Sequence, residues 1–266
     1  MRWILLAAVL TLGTAVAGPS LAGAQTIASI MTAQLMEPNQ KTAEVSTQEL
    51  QQIPAAGGTF VFDARPHLEW AISHVPGAFN VAPKPGVPMS QYVSDVNEVL
   101  RVVNTDKAAP IVLYCNGPFC GKSKRLGEEL VAAGFSNVRR YQLGAPTWRA
   151  LVGLMEIELD GVLYAYRQDK TAVFIDTREA AEFAADRIAG SRSLPRSLVR
   201  VGKDVGEILA AKNDGRLPME DHNTRIIVYG ADSAQARFVA EQIAKEAFHN
   251  VAYFVGTYAT LRSVLK

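Results

Sequence analysis

Short apolar blocks rich in β-branched and aromatic residues alternate along the chain with longer segments whose apolar residues keep a helical period. Phe60-Val-Phe-Asp63 and Ile111-Val-Leu-Tyr114 are such blocks. Their length and composition suit strands covered on both faces of a parallel sheet. Arg125 to Ala133 sets Leu126, Leu130 and Val131 on one helical face, and Gly134 is placed to stop it. In the second half, Val173-Phe-Ile-Asp176 and Ile226-Ile-Val-Tyr229 read as strands, and Arg237 to Ala247 as a helix carrying Val239, Ile243 and Ala247. Strands alternating with helices predict an α/β protein, with parallel sheets covered by helices on both faces.

The blocks recur because the chain holds one pattern twice. Phe60-Val-Phe-Asp63-Ala-Arg65 is echoed by Val173-Phe-Ile-Asp176-Thr-Arg178, and Glu69-Trp70 by Glu182-Phe183. Val75-Pro-Gly77-Ala pairs with Ile188-Ala-Gly190-Ser, and Gly134-Phe-Ser-Asn-Val138 with Ala247-Phe-His-Asn-Val251, all at an offset of 113 positions. A repeat this long is a duplicated domain rather than a solenoid unit. Around Ile111-Val-Leu-Tyr-Cys115, which matches Ile226-Ile-Val-Tyr-Gly230, the offset is 115. The loop after Cys115 is therefore two residues longer than its internal copy, and Gly230 stands where the cysteine would be.

The N-terminus adds a targeting expectation. Arg2, the apolar Trp3 to Leu12 and the small residues Ala22-Gly-Ala24 read as a secretory signal over residues 1–24, with a cut after Ala17 as the other site. Thr11, Gly13 and Thr14 interrupt a run already short for a membrane span. A periplasmic or secreted protein without a stable span after cleavage is expected. Residues 25–40 read as a polar leader, 41–157 as the first domain and 158–266 as the second. The formal net charge of +1 and the lack of a basic stripe argue against a nucleic-acid partner.

Cys115 and Cys120 are the only cysteines of the chain. A bridge between them closes a very small loop and removes little chain entropy, so a chemically active or redox-switchable pair fits better than a staple. Cys115 ends an apolar strand and enters a glycine-rich turn before a helix. Backbone N–H groups and a helix N-terminus at such a turn favour an anion and lower a thiol pKa. Cys115 is therefore the candidate nucleophile. Asn116, Gly117, Phe119, Cys120, Gly121, Lys122 and Ser123 form the candidate substrate-binding loop. Cys120 is a resolving thiol, a redox lock on Cys115 or only a loop residue. Lys122 is the candidate cation for an anionic substrate, whereas Lys124 and Arg125 read as a solvated face. The histidines have no metal-ligand spacing.

Together these motifs resemble the rhodanese (sulfurtransferase) superfamily. Asp63-Ala-Arg65, Glu69-Trp70 and His74-Val-Pro-Gly-Ala78 are similar to its N-terminal signature. Tyr114-Cys115 with its loop resembles the active-site strand, and Leu143-Gly-Ala-Pro-Thr-Trp148 the motif near the domain end. The resemblance implies two rhodanese-like domains, the second inactive for want of a cysteine. It implies transfer of a sulfane sulfur from thiosulfate, a persulfide or a polysulfide, through a Cys115 persulfide, to a thiol or cyanide acceptor. No metal and no organic cofactor is implied. Asp63 and Arg65 are expected to be a structural ion pair, His74 a turn residue and Trp148 core. The family loop usually holds four residues between cysteine and an arginine–serine pair. Here Lys122 and Ser123 fill those places after the insertion, which puts thiosulfate in question as the natural donor. A thiol/disulfide redox protein and a non-enzymatic binding module, with a protein partner on the second domain, are the other readings.

Overall fold

Two parallel sheets of the same topology are built from the two halves. The computed structural model describes residues 30–81, 95–118 and 120–265. The first half runs β1 (Ala43–Glu44), α1 (Thr47–Ala56), β2 (Phe60–Asp63), α2 (His67–Ile72), β3 (Phe79–Asn80), α3 (Val96–Val102), β4 (Ile111–Tyr114), α4 (Gly121–Ala132), β5 (Val138–Tyr141) and α5 (Gly144–Val152). The second runs β6 (Leu154–Ile157), α6 (Leu159–Gln168), β7 (Val173–Asp176), α7 (Ala180–Ala185), β8 (Arg192–Ser193), a 3-10 turn at Arg196–Leu198, α8 (Gly206–Asn213), β9 (Ile226–Tyr229), α9 (Ser233–Ala244), β10 (Val251–Phe254) and α10 (Tyr258–Val264). The strand orders are β1-β5-β4-β2-β3 and β6-β10-β9-β7-β8. Every pairing is parallel, with Asp63 opposite Tyr114 and Asp176 opposite Tyr229.

The period of two along each strand divides the core. On β4, Ile111 and Leu113 join Phe62, Leu126 and Leu130 in an outer core, while Val112 and Tyr114 face inward. On β9, Ile226 and Val228 pack outward with Ile243, and Ile227 and Tyr229 turn inward. The inward residues of both sheets meet in one shared core with Leu50, Trp148, Val162, Phe254 and Leu261. Helices thus cover both faces of each sheet, and the central layer is common to the two halves.

The strand just before the expected division after residue 157 pairs within the second sheet. β6 pairs along its whole length with β10, from Leu154 opposite Val251 to Ile157 opposite Phe254. It is an edge strand of the second sheet, as β1 is of the first, and the join lies just before it. Residues 30–40 of the expected leader are tied to the first half. The Leu35 and Met36 N–H groups donate to the Glu44 carboxylate at 2.6 and 3.0 Å. Glu37 accepts from Lys124 and from Arg140. The signal segment, residues 1–24, lies outside the described residues. Among the described residues, no helix is long and apolar enough to cross a membrane.

The halves are stitched at one seam. His74 and Glu156 form an antiparallel bridge, with N–H to carbonyl distances of 3.0 and 2.9 Å. The Glu158 N–H donates to the Ala71 carbonyl at 2.8 Å. A Cβ at Gly161 would lie 2.0 Å from that same oxygen, so α6 crosses α2 at a distance that only glycine allows.

Candidate active site

The chain leaves β4 at Cys115, which is 2% exposed, and re-enters regular structure at Gly121. This connection has six residues, 115–120, against three, 230–232, in the second half. Two are the expected insertion, and the third arises because α9 begins one residue earlier in the repeat register. Gly117 turns the loop at φ +107°, a left-handed conformation that glycine adopts at little cost. The Cys120 N–H donates to the Gly117 carbonyl at 3.0 Å, and the Ala145 N–H to the Cys115 carbonyl at 2.9 Å. At Gly144, φ is +74°, and a Cβ would sit 2.2 Å from the Gly117 nitrogen and 2.6 Å from the Cys115 oxygen. The start of α5 and the loop therefore touch backbone to backbone, which is why this position in the Leu143–Trp148 motif is glycine.

Cys115 and Cys120 are joined by a disulfide, with their Cα atoms 6.1 Å apart, within the ordinary span for such a bond. Cys120 is the N-cap residue of α4 in extended backbone, its side chain accepts no capping hydrogen bond, and the first turn of α4 holds no acidic residue. The first N–H groups of a helix have no partner within it. Those of α4 receive no capping side chain from Cys120.

The internal copy is built differently. Asp232 caps α9 by accepting from the Gln235 N–H at 2.8 Å. The Gln235 side-chain oxygen accepts from the Ala231 N–H at 2.8 Å and from the Thr177 hydroxyl at 3.2 Å. A Cβ at Gly230 would lie 2.3 Å from the Thr177 Oγ1 and 2.5 Å from the Gln235 Oε1. One turn carries a disulfide and no side-chain cap, and the other is capped and filled by its own side chains.

Around the loop, Lys124 pairs with Glu37, and Arg125 with Glu129 at 3.3 Å. Half-buried Lys122 has no charged partner among the described residues. Ser123 is buried and Gly121 exposed, both within α4. The Asn116 side chain donates to the Glu69 carboxylate at 2.6 Å, a partner that sequence reasoning missed. Phe119 lies outside the described residues.

Asp63 and Arg65 form a buried ion pair at 2.5 Å, and Arg65 also donates to the Ser73 carbonyl at 2.6 Å. Burial alone would lower the Arg65 pKa, but the Asp63 carboxylate overrides it and holds the guanidinium above its ordinary value. Asp176 and Arg178 repeat the pair at 2.7 Å in the half without cysteine, so it belongs to the fold. Behind Cys115, Tyr114 accepts from the Val75 N–H at 3.0 Å. Burial raises its phenol pKa well above normal. Trp148 is buried, and its indole donates to the Leu154 carbonyl at 2.9 Å.

His74 does more than shape a turn. It is 1% exposed, stacks on Trp70 with centroids 4.6 Å apart, and donates from Nδ1 to the Trp70 carbonyl at 2.9 Å. Its Nε2 meets the Glu156 carboxylate at 3.1 Å. Both ring nitrogens thus face acceptor oxygens. The ring is committed to the seam and not to the loop.

The rhodanese-like domain family matches this sequence twice, over residues 46–151 and 161–261. The chain belongs to the rhodanese-like family. Its tandem halves are the two matched domains, and each edge strand, β1 and β6, precedes its match. No curated protein matches the sequence. Similar solved structures include a thiosulfate sulfurtransferase from Pseudomonas aeruginosa, 18% identical, covering 82% of this chain and 44% of that one, TM-score 0.33. A 3-mercaptopyruvate sulfotransferase from Escherichia coli, SseA, is 20% identical over 82% of this chain and 99% of its own, TM-score 0.36. A Bacillus halodurans protein, BH2092, is 24% identical over 44% of this chain and 77% of its own, TM-score 0.35. The chain thus spans less than half of the Pseudomonas aeruginosa protein.

Proposed function

We propose that this rhodanese-like protein is a sulfurtransferase whose nucleophile is Cys115. The observation that carries the reading is the contrast between the two turns. The turn with sulfur ends in a helix N-terminus without a side-chain cap and without a carboxylate in its first turn, whereas its copy is capped and filled. Freed N–H groups beside a thiol favour the thiolate and an attached anionic sulfur.

In the reduced protein the Cys115 thiolate attacks the sulfane sulfur of the donor. An S–S bond forms on Cys115, and the donor's leaving group departs with the bonding pair, as sulfite from thiosulfate. The loop N–H groups then stabilise the persulfide anion, and a thiol or cyanide acceptor removes the outer sulfur in a second step. No cofactor enters these steps. Because Cys115 is held in a disulfide, reduction precedes the first turnover. Intact mass of the reduced protein after thiosulfate or a persulfide donor should rise by one sulfur, located on Cys115, and cyanide should release it as thiocyanate. Cys115→Ser should do neither. Wild-type transfer by that variant would end the assignment.

The disulfide itself favours a second reading, a thiol/disulfide redox protein. Electron transfer to a dithiol in the absence of any sulfane donor would distinguish it. For the second domain, the filled turn at Gly230 supports a non-catalytic role, with a protein partner as its proposed ligand; pull-down with that domain's surface altered tests it. Export is also part of the proposal and rests on Arg2, the apolar run and Ala22-Gly-Ala24. N-terminal sequencing of the native protein should begin near Gln25 or Gly18, and an intact Met1 on cytosolic protein would rule it out.

A further inference from the structure

We propose that Cys120 resolves the Cys115 persulfide from within, which makes the protein a sulfane-sulfur reductase that releases hydrosulfide and draws its electrons from an external dithiol. The inference rests on Cys115 as the persulfide-bearing residue and adds a second activity to the same loop.

Three observations lead to it. The Cys120 sulfur reaches the Cys115 sulfur, because the two are bonded. Its backbone is held for that reach by the N–H to Gly117 hydrogen bond and by its place as the N-cap of α4. In sequence, the stretch from Cys115 to Ser123 is two residues longer than its capped copy, and Cys120 lies within that longer stretch. Exposure is also unequal across the bond: Cys115 is 2% exposed and Cys120 half-buried.

The chemistry balances with the two thiols as the reductant. The Cys120 sulfur attacks the inner sulfur of the persulfide, Cys115 Sγ. A bond forms between the two cysteine sulfurs, and the bond from Cys115 Sγ to the outer sulfur breaks. The outer sulfur leaves with the electron pair as hydrosulfide, taking up the proton that Cys120 gives. The sulfane sulfur is reduced by two electrons, and the cysteines are oxidised to the disulfide present in the structure. A dithiol then attacks the more accessible Cys120 sulfur. Cys115 then leaves as the thiolate. The second thiol of the reductant frees Cys120 and closes its own disulfide. With thiosulfate, the sum is thiosulfate and dithiol to sulfite, hydrosulfide, cyclic disulfide and one proton.

The test uses the full-length protein, reduced, freed of reductant and kept without oxygen. Thiosulfate and glutathione persulfide are supplied as parallel donors, with no cyanide. Wild type should release about one hydrosulfide per chain and stop, with both thiols lost and peptide mapping showing the Cys115–Cys120 bond. Cys120→Ser and Cys120→Ala should instead gain one sulfur on Cys115 and release none. Wild type that holds a stable persulfide on either cysteine with no hydrosulfide overturns the inference while leaving the transferase reading intact. So does hydrosulfide release by the Cys120 variants at the wild-type level. If the variants gain no sulfur from either donor and wild type releases none, the assignment of Cys115 falls and the inference falls with it.

Discussion

Lys122 stands apart from the two basic residues that follow it. Lys124 and Arg125 answer Glu37 and Glu129, whereas Lys122 answers nothing among the described residues, although α4's first turn is an unfavourable place for a cation. A cation kept there suits an anionic donor. Lys122→Ala should raise the KM for thiosulfate about fivefold, the effect of roughly 1 kcal/mol from a solvent-facing charge pair, and leave kcat near that of wild type. An unchanged KM would return Lys122 to the solvated face. The strand, turn and helix that carry Cys115 and Lys122 were legible in sequence, because each can be read from residue type alone. Glu69 as the partner of Asn116 was not, since 47 positions separate them and only the folded sheet brings them together.

Elements differ in how far a pattern announces them. The four-residue apolar strands β2, β4, β7 and β9 carry the signal of double burial. The two-residue strands β1, β3 and β8 are too short for any period, and the pairing of β6 with β10 is a tertiary fact that no local pattern announces. The helices begin four residues before the first apolar periodic residues suggested, at Gly121 and Ser233, because their opening turns face the loops and not the core. The same tertiary closeness governs the start of α5. At Gly144 any side chain meets both left-handed backbone and the loop atoms of Cys115 and Gly117. Gly190, with φ +78° and no atom within 4 Å of the point where a Cβ would stand, isolates the backbone cost alone. Gly190→Ala should lose about 1 kcal/mol with sulfur loading intact. Gly144→Ala should lose about 2–3 kcal/mol more from overpacking and load less than one sulfur per chain, because relief requires the loop to move. Denaturation midpoints with persulfide stoichiometry would check both, and full loading by Gly144→Ala would show the contact to be unimportant to the site.

Across the whole molecule, one carboxylate joins the halves. Glu156, 14% exposed, accepts from His74, from the Gly77 N–H at 2.8 Å and from the Tyr253 hydroxyl. It thus binds the signature loop of the first domain to two strands of the second. Burial alone would push its pKa up, but the hydrogen bonds from His74, Tyr253 and Gly77 bring it below the ordinary glutamate value. A carboxyl with a lower pKa folded than unfolded binds more protons unfolded, so stability rises with pH across that interval. The contribution is complete above the unfolded value, about 4.3, and is lost as pH falls through the lowered folded value. Glu158, 3.8 Å from the same imidazole, is pushed up by burial and acts in the opposite sense; the Glu156 charge adds to that rise, so Glu156→Gln eases it as well. Glu156→Gln keeps the shape and removes the charge that accepts from Gly77 and Tyr253 and meets the His74 Nε2. It should cost about 2 kcal/mol at pH 7, the scale of a hydrogen bond to a charged group, and the deficit should shrink as pH drops below about 4.3. Thermal unfolding of both proteins from pH 3 to pH 7 measures it. A deficit that stays constant over that range would mean that the seam is held by its backbone bridge and packing, with the Glu156 charge contributing nothing.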